Sequence, residues 1–156
     1  MPSTPGTAAP PAAAVRPVPA GHPVPAGVSP ERLAVQAKGA SSLEELRACV
    51  AECTACALAA TRTQTVFGDG GGARRILFVG EGPGEQEDRQ GVPFVGRAGA
   101  LLDDIITKGM GLRREEVYIA NIIKCRPPRN RDPRPDEVAA CEPFLVQQIE
   151  AIGPRL

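Results

Sequence analysis

Two sets of residues in this chain have the types and spacing to do chemistry. The first is the stretch GEGPGEQEDRQGVPFVG, Gly80 to Gly96, which follows the apolar run ILFV. Glycines where a buried strand turns out of a sheet commonly open backbone N–H groups to a phosphate. Here Glu81, Glu85, Glu87 and Asp88 share the loop and would repel one, and Pro83 has no N–H to donate. GEGPGE therefore fails the dinucleotide fingerprint, and its own residues leave the ligand open. The second set is the cysteines. Cys53 and Cys56 form C-x2-C, Cys125 follows a second apolar run, Cys141 comes sixteen positions later, and Cys49 stands apart. Such a set points to metal rather than to disulfides, although each thiol alone also reads as a small buried hydrophobe. Zinc ordinarily takes two closely spaced pairs; the wide second pair is compatible with an iron–sulfur cluster on four thiolates.

Cys125 opens onto KCRPPRNRDPR, Lys124 to Arg134, with five cationic side chains against one aspartate in a proline-rich loop. This is either a solvated loop with scattered charge or a strip that contacts phosphates. The formal net charge of zero supplies no global field to draw in nucleic acid or a membrane surface. Asn121 precedes this strip at the end of VYIANII, where open parallel sheets place their ligands; an asparagine there also commonly caps the strand's loop.

The elements that must position these residues are legible in outline. Residues 1–40, rich in Pro, Ala and Gly, cannot bury enough surface to fold and are expected to form a disordered tail. They carry neither the apolar core of a secretory signal nor a clean amphipathic helix, so a cytoplasmic location is expected. No run is long enough for a membrane span. The folded part, residues 41–156, should begin with a helix at SSLEEL, N-capped by Ser42 with Glu45 at N3, and with Leu43, Leu46 and Val50 on one face. A strand is expected over Ile76 to Val79. A helix should present Ala98, Leu101, Leu102, Ile105 and Ile106 and stop at GMG, and VYIANII should form a second strand. The last helix is opened by Pro135, with Val138, Cys141, Leu145, Ile149 and Ile152 on its apolar face and a bend at Pro143. This β-α-β-α order argues an α/β fold with a parallel sheet between helical layers. Two strands make a poor sheet, so the chain is expected to be the N-terminal portion of a larger domain.

In order along the chain, CTAC, VFGDG, FVGEGPGEQEDRQGVPFVGRAGALLD, VYIANIIKCRPPRNRDP and Cys141 resemble the family 4 uracil-DNA glycosylases, from about Leu43 to the end. The resemblance implies a three-layer α/β/α fold with a short parallel sheet, and hydrolysis of the N-glycosidic bond of deoxyuridine flipped out of DNA in base excision repair. It implies a structural [4Fe-4S] cluster on Cys53, Cys56, Cys125 and Cys141, uracil-containing DNA as partner, and a monomer. By the same resemblance Glu81 and Gly82 line the uracil and attacking-water side, Glu87 stands near C5 to exclude a thymine methyl, and Phe94 stacks on the base. A core aromatic is the ordinary alternative for Phe94. Asn121 would read uracil N3–H and O4, a pattern that cytosine reverses. Arg126, Arg129 and Arg131 would hold phosphates, with Asn130 near the DNA.

The family's HPS motif does not occur here, and the chain's only histidine is His22. Uracil excision is therefore expected to be slower than in a form carried through that motif, whose histidine stabilises the departing uracil anion. Two other classes fit part of the sequence: a non-catalytic DNA-binding module of the kind fused to phage polymerases, and an iron–sulfur electron carrier, which leaves the pocket residues without a role.

Overall fold

The computed structural model describes residues 37–155. Most of the expected tail lies outside them. Residues 37–39 are already helical, and Ala37 is fully buried against Leu46, Val50, Phe67 and Phe144, so the packed chain begins earlier than residue 41.

Helix α1, Leu43–Ala51, starts as its sequence dictates. The Ser42 side chain accepts the Glu45 N–H at 3.2 Å, and Leu46 and Val50 are buried. The Glu45 carboxylate reaches one residue further back than a standard capping box, accepting both the N–H and the hydroxyl of Ser41 at 2.7 Å. Strand β1, Leu77–Gly80, pairs in parallel with β2, Tyr118–Asn121, and Gly80 stands opposite Asn121. Side chains of a strand alternate between faces, and both faces of β2 are covered. Ile119 packs with Leu102 and Ile106 of the helix that follows Gly96, whereas the Tyr118 hydroxyl lies 3.1 Å from Gln148 on the final helix. The fold is therefore α/β, with helical layers on either side of a short parallel sheet.

The second edge of β2 is not bare. The segment Val66–Gly72 runs antiparallel along it, with Val66 N–H to Lys124 O at 2.8 Å, a reciprocal Asp69–Ile119 pair at 2.8 and 2.9 Å, and Gly71 N–H to Glu115 O at 2.9 Å. Its glycines permit the approach: at Gly70, with φ +103°, a Cβ would collide with the Val117 carbonyl.

Two sequence expectations about helix faces are corrected. In α3, Arg97–Asp104, extended by a wider π turn over Ile105–Gly109, only Gly99, Leu102 and Ile106 are buried; Leu101 is 65% and Ile105 47% exposed. The short helix meets the sheet along one narrow strip, and nothing among the described residues covers its other apolar side. In α4, Pro135–Ile152, the buried face is Glu137, Ala140, Cys141, Phe144 and Gln148 rather than the expected Val138, Cys141, Leu145, Ile149 and Ile152. An apolar count rotates the helix wrongly because two of its buried residues are polar and fully partnered. Gln148 accepts from the Lys124 ammonium at 2.5 Å and donates to Phe67 O at 2.8 Å and to the Tyr118 hydroxyl. Pro135 opens the helix as expected, and the helix continues through Pro143 to Ile152.

Lys124 is 1% exposed, and its other acceptor is the Asn121 carbonyl at 2.6 Å. Burial lowers its pKa to about 8. Replacing Gln148 by Leu strips a buried ammonium of one of two acceptors and leaves Phe67 O and the Tyr118 hydroxyl short of a donor. We expect a loss of about 2–4 kcal/mol, read in urea as a lower midpoint with an unchanged slope. A loss under about 0.5 kcal/mol, the usual range of surface changes, would show that this network does not hold α4 to the sheet.

Candidate active site

The carboxyl ends of β1 and β2 open into a cavity of about 530 Å³ whose lining includes Glu81, Gly82, Glu87, Phe94, Asn121 and Asn130. Arg131 also lines it. The structure thus brings together most of the residues that the sequence singled out for a pocket.

Asn121 is 2% exposed, yet among the described residues its side-chain amide makes no hydrogen bond and no buried side-chain N or O lacks a partner. The amide is therefore held with its polar atoms at the cavity wall, free for a ligand. Its neighbour on β1 has to be glycine. A Cβ on Gly80 would strike the Asn121 amide oxygen and approach the Phe94 ring to 2.6–2.7 Å. The missing side chain lets the amide and the aromatic ring converge. Gly82 is similarly tight, because a Cβ there would meet Ile123 at 2.8 Å.

The acids of the loop divide into structural and free ones. Residues Glu85–Gln90 form a short helix, α2, closed by Gly91 at φ +72°; Glu85, Glu87 and Asp88 occupy its first turn, where negative charge is favoured. Glu85 pairs with Arg89. Asp88, 3% exposed, accepts the Thr63 N–H at 2.9 and 3.2 Å. Glu87 accepts the N–H groups of Val95 and Gly96 at 3.0 and 2.9 Å, tying α2 to the loop that carries Phe94. Of these four acids only Glu81 has no side-chain partner among the described residues, and it is exposed at the cavity.

Phe94 has φ +53°, a left-handed conformation that costs a bulky residue free energy and must be imposed by its surroundings. Arg114 imposes it. Its guanidinium donates to Pro93 O at 2.6 Å and Phe94 O at 3.3 Å, and is anchored by Asp103 and, at 3.5 Å, by Asp69. No local signal announces this clamp, since Arg114 lies twenty positions from Phe94.

The basic strip is less uniform than its sequence. Arg126 donates to Asn130 Oδ1 at 2.7 Å, and Arg131 holds the fully buried Glu137 through two bonds of 2.8 and 2.6 Å. Burial alone would raise the Glu137 carboxyl, but Arg131 and the Arg134 N–H hold it below the ordinary range. Arg129 and Asn130 both take left-handed conformations, and Arg129 is exposed with no protein partner among the described residues. Its guanidinium is free for a further partner.

All five cysteines are free thiols. Cys56, Cys125 and Cys141 are buried in one cluster, and Cys53 lies close enough for its charge to act on all three. Among the described residues no group of three or more His, Cys, Asp or Glu stands in an arrangement that could hold a single metal ion. The donor set nonetheless fits a cationic centre. Burial pushes the Cys125 thiol up to about 11 and the Cys141 thiol up to about 12, with the neighbouring sulfurs adding to it. Thiolates packed this way are stabilised by binding metal. Cys49 packs against the α1 core, beside Leu46 and Val50, and Cys53 also touches that core.

Residues 67–156 match the family model of the uracil DNA glycosylase superfamily, and the chain belongs to that superfamily. It is 56% identical over 115 residues to a type-4 uracil-DNA glycosylase of Thermotoga maritima, covering 71% of this chain and 59% of that protein. A type-4 uracil-DNA glycosylase of Archaeoglobus fulgidus is 50% identical over 115 residues, covering 74% and 57%. A DNA polymerase of Bacillus phage SP01 is 34% identical over 87 residues, 56% of this chain and 9% of that protein. The chain spans somewhat over half the length of the two glycosylases. No helix among the described residues is long and apolar enough to cross a membrane.

If Arg114 clamps the loop, Arg114→Met should raise hydrogen exchange at the Val95 and Gly96 amides by about tenfold or more, about 1.4 kcal/mol of local protection, while β2 stays protected. Unchanged protection at these two amides would show that the loop holds its conformation without the guanidinium.

Proposed function

We propose that the chain carries the base-recognition part of a uracil-DNA glycosylase, which binds deoxyuridine flipped out of DNA and hydrolyses its N-glycosidic bond. The observation that carries this reading is the Asn121 amide, whose polar atoms reach the cavity without a partner among the described residues, beside the Phe94 ring in the space left by Gly80. A planar base stacked on that ring would meet a fixed donor–acceptor pair on its edge, able to match uracil N3–H and O4 and to reject cytosine. The flipped base is also the neutral ligand that the acidic loop calls for. Glu81 stands free to hold the attacking water, with the Gly82 backbone beside it. Glu87, through Val95 and Gly96, fixes the wall where a thymine methyl would have to fit. Arg129 meets a backbone phosphate, and Arg126, Asn130 and Arg131 shape the loop that presents it.

Cys53, Cys56, Cys125 and Cys141 would hold the [4Fe-4S] cluster, which would staple the CTAC segment to the strip after β2. The protein would act on uracil-containing DNA as a cytoplasmic monomer. The match to a phage polymerase keeps a second reading in view, a DNA-binding module without catalysis.

The test is single-turnover release of uracil from a single-stranded oligonucleotide by a chimera in which the Thermotoga relative supplies the sequence beyond Leu156. Asn121→Asp should lower the rate by about 10²-fold or more, the scale of losing one fixed hydrogen-bonding group at a reacting base. Uracil release unchanged by Asn121→Asp would remove Asn121 from the site. No release by the parent chimera would favour the non-catalytic module.

A further inference from the structure

Arg62 lies just after the CTAC segment and received no role from the sequence or from the pocket. Its guanidinium donates to the Cys53 carbonyl at 2.7 Å, the Ala51 carbonyl at 3.2 Å and the Cys125 sulfur at 3.3 Å. The first acceptor belongs to the C-x2-C segment, the second to the last residue of α1 just before it, and the third to the strip after β2. One side chain thus ties together the segments that carry Cys53, Cys56 and Cys125; Cys141 comes from α4.

The pairing leaves a charge to be accounted for. Arginine keeps its charge in proteins, and among the described residues no carboxylate lies within ion-pair distance of Arg62; the ion pairs found there involve other arginines and Lys108. A neutral thiol is a weak acceptor for such a donor, whereas a metal-bound thiolate is a strong one. A centre of four cysteine thiolates around iron and sulfide carries net negative charge, and donors to its sulfurs adjust both its electronic structure and its retention.

We infer that Arg62 is a positioning and charge-balancing residue of the metal–thiolate centre, donating an N–H to the Cys125 sulfur while its bonds to Ala51 and Cys53 fix the C-x2-C segment around the same ion cluster. This rests on the iron–sulfur reading above. The role separates into two parts that different substitutions remove. Arg62→Lys keeps the charge but cannot reach three acceptors at once; Arg62→Gln loses the charge.

The experiment uses this chain, purified anaerobically and reconstituted with iron and sulfide, with Arg89→Gln as a control because Arg89 pairs with Glu85 on the exposed α2. Iron and sulfide content of the parent chain is measured first. Parent protein that retains no iron sinks both the cluster reading and this inference. In loaded protein, Arg62→Gln should release iron to a chelator about 10- to 100-fold faster than the parent, the usual scale for losing a partner of a metal ligand. Its Fe–S(Cys) stretching bands in resonance Raman spectra should shift, and its reduction potential should become more negative, since a nearby positive charge favours the reduced centre. Arg62→Lys should recover the potential more fully than the release rate. A loaded Arg62→Gln protein with parental Raman bands and release rate would overturn the inference while leaving the cluster in place. Faster release with unshifted bands would also overturn it, because that is what a merely structural strap would do.

Discussion

The site depends on the register of one parallel strand pair. Because Gly80 lies opposite Asn121, β1 and β2 end at the same level, and the residue at the end of β1 has no side chain to fill the space in front of the amide. Shifting the pairing by one residue would reverse the faces of every side chain and put Val79 against Asn121. The buried β2 face anchors that register from both sides, through Ile119 against α3 and Tyr118 against α4. Around the fixed amide, Glu87 and Arg114 then grip the Phe94 loop from opposite ends. Pocket geometry is thus set by backbone pairing first and by long side chains second.

The same strand end connects the pocket to the cysteines. Asn121 and Cys125 are separated by three residues, and the buried Lys124 ammonium bonds the Asn121 carbonyl while the next residue enters the thiol cluster. Whatever orders Cys125 also orders the turn on which the amide sits. A cluster on the four cysteines, as proposed, would hold the long proline-rich loop, with Arg129 at its tip, against a sheet too small to do so by burial alone.

Much of this was legible where the signal is local. Ser42 and Pro135 mark helix starts by their own chemistry, and apolar runs mark both strands. The pocket residues Glu81, Phe94 and Asn121 were legible because their types sit after strands in a pattern resembling a known family. What stayed hidden depends on partners distant in sequence. The glycines of VFGDGGG become the condition for close approach only with β2 beside them. The face of α4 was misjudged because Glu137 and Gln148 are buried by partners on other elements. Arg62 and Arg114 look like surface charge, yet Arg62 meets a sulfur 63 positions away.

Base reading by the Asn121 side chain against Phe94 can be checked by following the Asn121 side-chain NH₂ resonances of the isotopically labelled protein while free uracil, thymine or cytosine is added. Uracil should move the Asn121 side-chain signals and those of the Phe94 loop saturably, while cytosine at equal concentration leaves them in place. Saturable shifts of equal size with all three bases, or shifts confined to residues outside the cavity, would contradict this role of Asn121.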